Sequence, residues 1–260
     1  MKHRLSLFTL GLAIIGACAS TQAVAQAAAQ EAAATATPAS APAAEATAVV
    51  EVSSVKNPQF KPYRQMLRGL DAYNAHRALA PQAPLQFLLV TDGGKAALTD
   101  VTLRIAGENT SFPLALAKDG TFTFERIQAA IDDNADMISN KRRGLLHWRP
   151  NIHTPNVPAD ARRLGDLRLE CEMSWAVTKD DLSFLKRNGI ELLGGLCHSS
   201  QVMLHYEAPR ELASATLVSG ERRQTLVIDE KNHRVFSPPL SDATWNDDAL
   251  VLYEFAAPAP

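Results

Sequence analysis

The sequence has few cysteines and lacks the best-known catalytic motifs. Its 260 residues include three cysteines, Cys18, Cys171 and Cys197, and no C-x-x-C pair, so thiols acting as metal ligands or as a nucleophile have no support. The G-x-S-x-G, H-E-x-x-H and phosphate-loop motifs of hydrolases, zinc proteases and nucleotide-binding enzymes are also missing. We therefore expect no catalytic residue set and no cofactor.

The sequence also lacks a marked excess of positive or negative charge. Lys and Arg number 26 against 28 Asp and Glu, which gives a formal net charge of −2. Removal of the leader predicted below takes away Lys2 and Arg4 and no acid, so the net charge goes from −2 to −4. A balance this mild excludes nucleic acid as the expected partner.

The N-terminus has the pattern of an export signal. A basic start, Met1 to Arg4, precedes the apolar run Leu5 to Ala17, which suits a secretory signal better than a membrane span. The A-x-A site at 23–25 predicts a signal peptide at 1–25 and a protein of the periplasm or the exterior. Alternatively, the segment 15–18 resembles the lipobox of bacterial lipoproteins. Lipidation of Cys18 would then anchor the chain to the outer membrane, facing the periplasm, and would be its only membrane contact.

Cys171 and Cys197 form an even pair once Cys18 is removed or lipidated. In an oxidising compartment the expected state of such a pair is a disulfide. The stretch around Cys171, Leu167 to Val177, alternates apolar and polar residues with a period of two. That pattern predicts a half-buried strand, and we expect this strand to lie at the centre of the core.

The rest of the chain predicts a mainly β fold, a β-sandwich or partly open barrel with two or three short helices. Residues 26–55 read as an Ala-rich disordered tether, and 56–260 as the folded region, either whole or as subdomains 56–138 and 139–260. An amphipathic helix is predicted from Pro62 to Leu79. A second helix is predicted from Thr178 to an end at Asn188-Gly189. Short strands separated by turn residues follow, the last at Ala215 to Val218, Thr225 to Ile228, Val235 to Phe236 and Leu250 to Phe255.

One part of this β region carries a family resemblance. V-x-L-x-I at 101–105, followed by P-L-x-x-x-x-D-G-x-F-x-F at 113–124, resembles the β-sandwich modules related to transthyretin and the carboxypeptidase regulatory domain. The likeness covers about Leu85 to Ile127. It departs from those modules in lacking their Pro-Gly-x-Tyr segment after the F-x-F strand. The resemblance implies a non-catalytic sandwich, and Asp119-Gly120 predicts a hairpin between the runs that flank it.

Residues 141–163 are the first candidate site. This segment reads as a long loop through most of its length, with Leu145, Leu146 and Trp148 as the residues for a brief strand. Long loops are often functional, and this one is rich in arginine. Arginine suits phosphate and carboxylate groups, so it is a candidate anion-binding site. The alternative is that these arginines form ion pairs with the acidic residues at 241–260 of the same protein and bind no ligand. The candidate cations are Arg142, Arg143, Arg149, Arg162 and Arg163.

Histidine and serine give weaker signals. His147 and His153 lie in the same segment, and His198 and His205 lie seven residues apart, which is not the spacing of a zinc protease helix. We expect no metal site. Ser199 and Ser200 stand beside His198, but sequence neighbours seldom have the geometry of a catalytic pair.

These observations predict a non-enzymatic exported envelope protein, a β-rich binding or structural module. Its partner would be another envelope protein or an anionic envelope component. Two alternatives remain open. One is an envelope hydrolase with its site in residues 141–163. The other is a binder of anionic envelope lipid or polysaccharide through the arginines of that segment.

Overall fold

Antiparallel strands form most of the fold in the computed structural model, which describes residues 55–91, 98 and 100–257. The predicted signal peptide at 1–25 and the tether at 26–55, except residue 55, lie outside the described residues. The described part contains 14 strands in four antiparallel sheets, which confirms the mainly β fold class. None of its helices is long and apolar enough to cross a bilayer.

The sheets fall into two pairs. The N-terminal pair has the orders β1-β6-β3-β4 and β5-β2-β7, and the C-terminal pair has the orders β11-β10-β14-β8 and β12-β13-β9. The strands are β1 Pro58–Pro62, β2 Phe87–Thr91, β3 Leu103–Ala106, β4 Ser111–Leu114, β5 Thr121–Phe122, β6 Asp136–Arg142, β7 Leu146–Pro150, β8 Ala161–Arg163, β9 Tyr206–Glu207, β10 Leu212–Ser219, β11 Arg222–Thr225, β12 Val227–Ile228, β13 Val235–Ser237 and β14 Leu250–Phe255. The helices are α1 Tyr63–Ala75, α2 Gln128–Asp132, α3 Leu164–Thr178 and α4 Phe184–Leu192.

The stretch predicted to be the central strand is the helix α3, so that prediction was wrong. Leu169, Met173 and Val177 follow one another at intervals of four and pack into the N-terminal core. Leu167 and Cys171, two positions earlier on the chain, pack into the C-terminal core. Two positions on a helix correspond to about 200° of rotation, so the two sets lie on opposite sides of α3. A helix buried on two sides thus shows the period-two pattern of a strand.

The helix α3 therefore joins two hydrophobic cores. The N-terminal core is built from α1, the first two sheets and one side of α3, with Tyr63, Met66 and Phe87 among its most buried residues. The C-terminal core is built from the last two sheets and the other side of α3, around Phe236 and Trp245. Because each core needs one face of the same helix, both depend on the position of α3.

The contact between α1 and α3 is close enough to require a glycine. A Cβ atom on Gly69 would lie 2.6 Å from Val177 Cγ2 and 3.3 Å from Phe87 Cζ. We expect Gly69→Ala to lower the free energy of unfolding by about 1–3 kcal/mol, the usual cost of overpacking, despite the better helix propensity of alanine. Urea unfolding measures it.

The matched control is Gly69→Ala combined with Val177→Ala, which removes the methyl group that the new Cβ would meet. The double variant should be more stable than the sum of the two single effects predicts. Unchanged or increased stability of Gly69→Ala would show that the two helices separate without cost.

Residues 141–163 contain more regular structure than the predicted loop: the brief strand expected around 145–148 is present as β7, a second strand follows at 161–163, and 151–160 form neither helix nor strand. The segment holds the end of β6 and the whole of β7 and β8. In β7, Leu146 is buried and the Trp148 ring packs edge-on against Phe122 with centroids 5.7 Å apart. In β8, Ala161 pairs with Leu252 of β14. The few apolar residues of the segment are therefore enough to place two short strands on the two cores.

Three further predictions differ from the structure: the hairpin at Asp119-Gly120, the end of the second helix, and a strand that Val202, Leu204 and Tyr206 predict after Cys197. Asp119 and Gly120 form a turn, and the Ala117 N–H donates to the Thr121 carbonyl across it at 2.9 Å. The strands on either side do not continue this pairing, since β4 pairs with β3 and β5 pairs with β2. The helix α4 continues through Gly189 to Leu192, and Gly194 supplies the left-handed residue after it, with φ of 93°. Only Tyr206 of the strand expected after Cys197 is in β9.

The predicted disulfide between Cys171 and Cys197 is present in the structure. It joins the middle of α3 to the segment that follows α4, and both cysteines are buried in the C-terminal core. The disulfide therefore holds the base of α4 to the helix that both cores share.

Candidate functional site

A cleft with a volume of about 1090 Å³ runs along one side of α3. One wall comes from α3 itself, with Asp166, Glu170 and Ser174. The opposite walls come from residues 149–162 and from the segments around Tyr206 and Tyr253. Ligand sites are usually concave and of this size, with a few fixed polar groups. This cleft is the candidate site.

A buried ion pair forms the floor of the cleft. Arg162 Nη2 lies 2.9 Å from Glu170 Oε1, and their side chains are 14% and 10% exposed. The same oxygen accepts a hydrogen bond of 2.7 Å from the Ile152 N–H, while Arg162 Nη2 donates to the Ile152 carbonyl at 2.9 Å. Burial raises the pKa of Glu170, and the Arg162 guanidinium opposes part of that rise. The Nε of Arg162 is buried and has no partner in the described part of the chain.

Asp166 fixes the irregular segment between β7 and β8 to α3. Its carboxylate accepts hydrogen bonds from Thr154, at 2.8 Å from the backbone N–H and 2.6 Å from the side-chain hydroxyl. Arg163 Nη1 lies 3.6 Å from the same carboxylate. Asp166 is 1% exposed, so these contacts are shielded from solvent. The wall of the cleft at 151–158 is thereby held in one position.

At the mouth of the cleft, two arginines share one carboxylate. Arg234 Nη2 lies 3.0 Å from Glu207 Oε1, and Arg149 Nη1 lies 3.7 Å from Glu207 Oε2. All three side chains are between 37% and 41% exposed, so solvent screens these pairs. Deeper in the cleft, Arg162 is paired with Glu170. The mouth therefore has one positive charge more than its acid neutralises.

Two tyrosines close the inner end. The Tyr206 hydroxyl donates to the Leu167 carbonyl of α3 at 2.6 Å. Burial raises the pKa of Tyr206 well above the ordinary value for tyrosine, and burial also raises that of Tyr253. Both phenols therefore remain neutral at physiological pH, and they add polar but uncharged groups to the lining.

The structure divides the arginines that the sequence grouped together. Arg149 and Arg162 line the cleft, whereas Arg142, Arg143 and Arg163 do not. The Arg143 guanidinium lies 4.7 Å from the Phe60 ring centroid. Arg163 pairs with Asp248 at 2.8 Å and donates to the Leu79 carbonyl. The five therefore do not form one site.

Residues from distant parts of the chain complete the cleft. Glu207, Arg234 and Tyr253 lie 44, 71 and 90 residues beyond the end of the arginine-rich segment at 163, and no local pattern in the sequence marks them. Glu170 was not predicted either, because it is one of the polar residues that the strand pattern at 167–177 assigned to the solvent-facing side. The nearest signal was the surplus of arginine at 141–163, which identified one wall of the cleft.

The histidines do not come together. His153 and His205 line the cleft, and His205 Nδ1 lies 3.1 Å from Ser237 Oγ. His198 Nε2 lies 2.8 Å from Glu172 Oε1, on another side of α3. His147 lies in β7, opposite Val90. Among the described residues, no group of three or more His, Cys, Asp or Glu side chains is placed to hold a metal ion.

Ser199 and Ser200 lie outside this cleft. They line a smaller cavity of about 310 Å³ together with Met203 and residues of the C-terminal sheets. Ser199 is buried, and its hydroxyl accepts a hydrogen bond of 3.2 Å from the Gln201 N–H. The pair therefore contributes to a turn beside the disulfide.

Comparison with models of protein families, with curated proteins and with solved structures found no match for this chain.

Proposed function

We propose that this chain is a non-enzymatic exported binding module of the bacterial cell envelope, and that its ligand occupies the cleft beside α3. The cleft carries the proposal, because it is concave, large enough for a small ligand and lined by polar groups from several parts of the fold. The export pattern at 1–25 and the disulfide, which is typical of oxidising compartments, support a periplasmic or secreted location.

The walls of the cleft are rigid before any ligand binds. Glu170 and Asp166 of α3 each hold part of the opposite wall through hydrogen bonds to Ile152 and Thr154. The disulfide ties the middle of the same helix to the segment that follows α4. A preformed site lowers the entropy that is lost on binding, so these contacts favour a binding role.

The charge at the mouth favours an anionic ligand. Arg149 and Arg234 both pair with Glu207, and these pairs are partly exposed. A phosphate or carboxylate group placed between the two guanidinium groups would therefore gain bidentate contacts with both. The sequence had predicted anion binding by five arginines of 141–163. The proposed site keeps one of them, Arg149, and adds Arg234. Anionic lipid headgroups and phosphorylated polysaccharides of the envelope carry such groups.

Thermal unfolding with inorganic pyrophosphate and with phosphatidylglycerol vesicles tests the proposal. A probe at 100 times its dissociation constant stabilises the fold by about 2.7 kcal/mol, which raises Tm by about 5–10 °C for a domain of this size. We expect a rise that weakens with salt and is lost in Arg149→Ala combined with Arg234→Ala.

The control is Arg142→Ala, which removes a cation of the same segment that does not line the cleft. It should leave the rise in Tm unchanged. A rise that persists without Arg149 and Arg234, or disappears without Arg142, would place binding elsewhere. The absence of a rise with either probe would remove the anionic ligand class.

A further inference from the structure

The helix α4 exposes large apolar side chains to solvent, and the Arg187 guanidinium lies 5.9 Å from the Phe184 ring centroid. The helix contains no buried residue, and Phe184, Leu185 and Leu192 are 71%, 81% and 88% exposed. Scattered apolar residues are normal on a protein surface, but three on one nine-residue helix form a continuous patch. None of them lines the cleft, so the patch is a separate feature of the molecule.

The apolar residues share one face of the helix. At about 100° per residue, Phe184, Leu185, Asn188 and Leu192 fall within an arc of about 100°. The arrangement is symmetric, because Phe184 precedes Asn188 by four residues and Leu192 follows it by four. Reversing the direction of the helix about Asn188 therefore exchanges the two apolar ends.

We propose that α4 pairs antiparallel with the α4 of a second copy of this chain, on a two-fold axis that passes through Asn188. Phe184 of each copy then packs against Leu192 of the other, as an isologous interface requires. The two Asn188 amides meet at the axis, where each donates to the other. A central asparagine of this kind fixes the register of paired helices.

Charge complementarity supports a second copy as the occupant. Arg187 and Glu191 lie beside the apolar face, on the same flank of α4. In an antiparallel pair the matching flanks are adjacent and run in opposite directions. Arg187 of each copy therefore lies next to Glu191 of the other, and two ion pairs of equal geometry form.

Contacts within the chain anchor α4 near both of its ends. Arg187 Nη1 lies 3.1 Å from Asp180 Oδ1, and Arg68 Nη2 lies 2.5 Å from the other oxygen of that carboxylate. The disulfide at Cys197 fixes the chain beyond the C-terminal end of α4. A helix anchored at both ends binds with less loss of entropy than a free one.

Sedimentation equilibrium of the protein with its disulfide intact tests the pairing. One nine-residue helix per copy makes a small interface, so we expect a weak dimer whose fraction rises with concentration. Leu192→Glu should weaken the dimer at least tenfold. Val227→Glu is the matched control, because Val227 is also an exposed apolar residue, at 62%, but belongs to β12, and this variant should dimerise normally.

A charge exchange tests pairing between copies, with Asp180→Ala as the control for the ion pair that Arg187→Glu also breaks within one chain. Arg187→Glu and Glu191→Arg should each be monomeric alone, because each places like charges across the axis. Mixed together, the two variants should form a heterodimer, since the flanks then carry opposite charges. A wild-type protein that stays monomeric at every concentration, or a mixture that does not associate, would overturn the proposal, as would a monomer that instead binds phosphatidylglycerol vesicles through α4.

Discussion

Replacing Glu170 with alanine is expected to lower the free energy of unfolding by about 3–5 kcal/mol, the cost of breaking a buried ion pair from one side. The substitution leaves the Arg162 guanidinium buried beside the cleft without its acid. It also removes the acceptor of the Ile152 N–H, and Ile152 is fully buried. Urea unfolding followed by circular dichroism measures the loss.

The control is a double-mutant cycle with Arg162→Met and Glu170→Met. Removing both charges leaves no isolated ion, so the double variant should be much more stable than the sum of the single effects predicts. The polar groups of Ile152 still lose their partners, and therefore we do not expect full recovery. A loss below about 1 kcal/mol for Glu170→Ala would match an exposed ion pair and would show that Arg162 is hydrated.

The same pair links stability to the proposed function. Arg162 and Glu170 hold the Ile152 backbone against α3, and its neighbours Asn151 and His153 line the cleft. A variant that loses the pair should therefore also lose the Tm response to pyrophosphate. Arg149→Ala should lose that response while the stability of the free protein stays nearly unchanged, because its contact with Glu207 is long and partly exposed.

The prediction of α3 shows where a sequence pattern fails. Alternation at 167–177 was a real signal of burial, and the residues it named, such as Leu167 and Met173, are buried. The error was in the geometry, because two helical stripes about 200° apart give the same period of two as one strand face. Periodicity assumes a single buried side. A helix between two cores does not meet that assumption.

Features that depend on short stretches of sequence, such as a single apolar stripe or a turn, were predicted correctly. The helix α1 has a single buried stripe with Tyr63, Met66 and Tyr73, and the helix predicted from Pro62 contains it. The strands β10 and β14 overlap the predicted strands at 215–218 and 250–255, which were located by the turn residues between the short strands. The cleft was not predictable, since Arg149, Glu170 and Arg234 meet only through the packing of both cores on α3.

Removing the disulfide with Cys171→Ala and Cys197→Ala should lower the free energy of unfolding by about 3–4 kcal/mol. The bond closes a loop with a sequence separation of 26, and a loop of that length restricts the unfolded chain by about this amount in the chain-entropy model. Guanidinium unfolding, with and without a reductant, measures the difference.

Each single cysteine variant should cost about as much as the double variant, because either one abolishes the bond, and this non-additivity is the control. The loss should also reach α4, which lies within the closed loop and has no buried residue of its own. Without the bond, amide hydrogen exchange in α4 should become faster than in α3, which both cores still hold. Equal protection of the two helices, or an unchanged midpoint after reduction, would show that the ion pairs of Asp180 are sufficient to hold α4 to the fold.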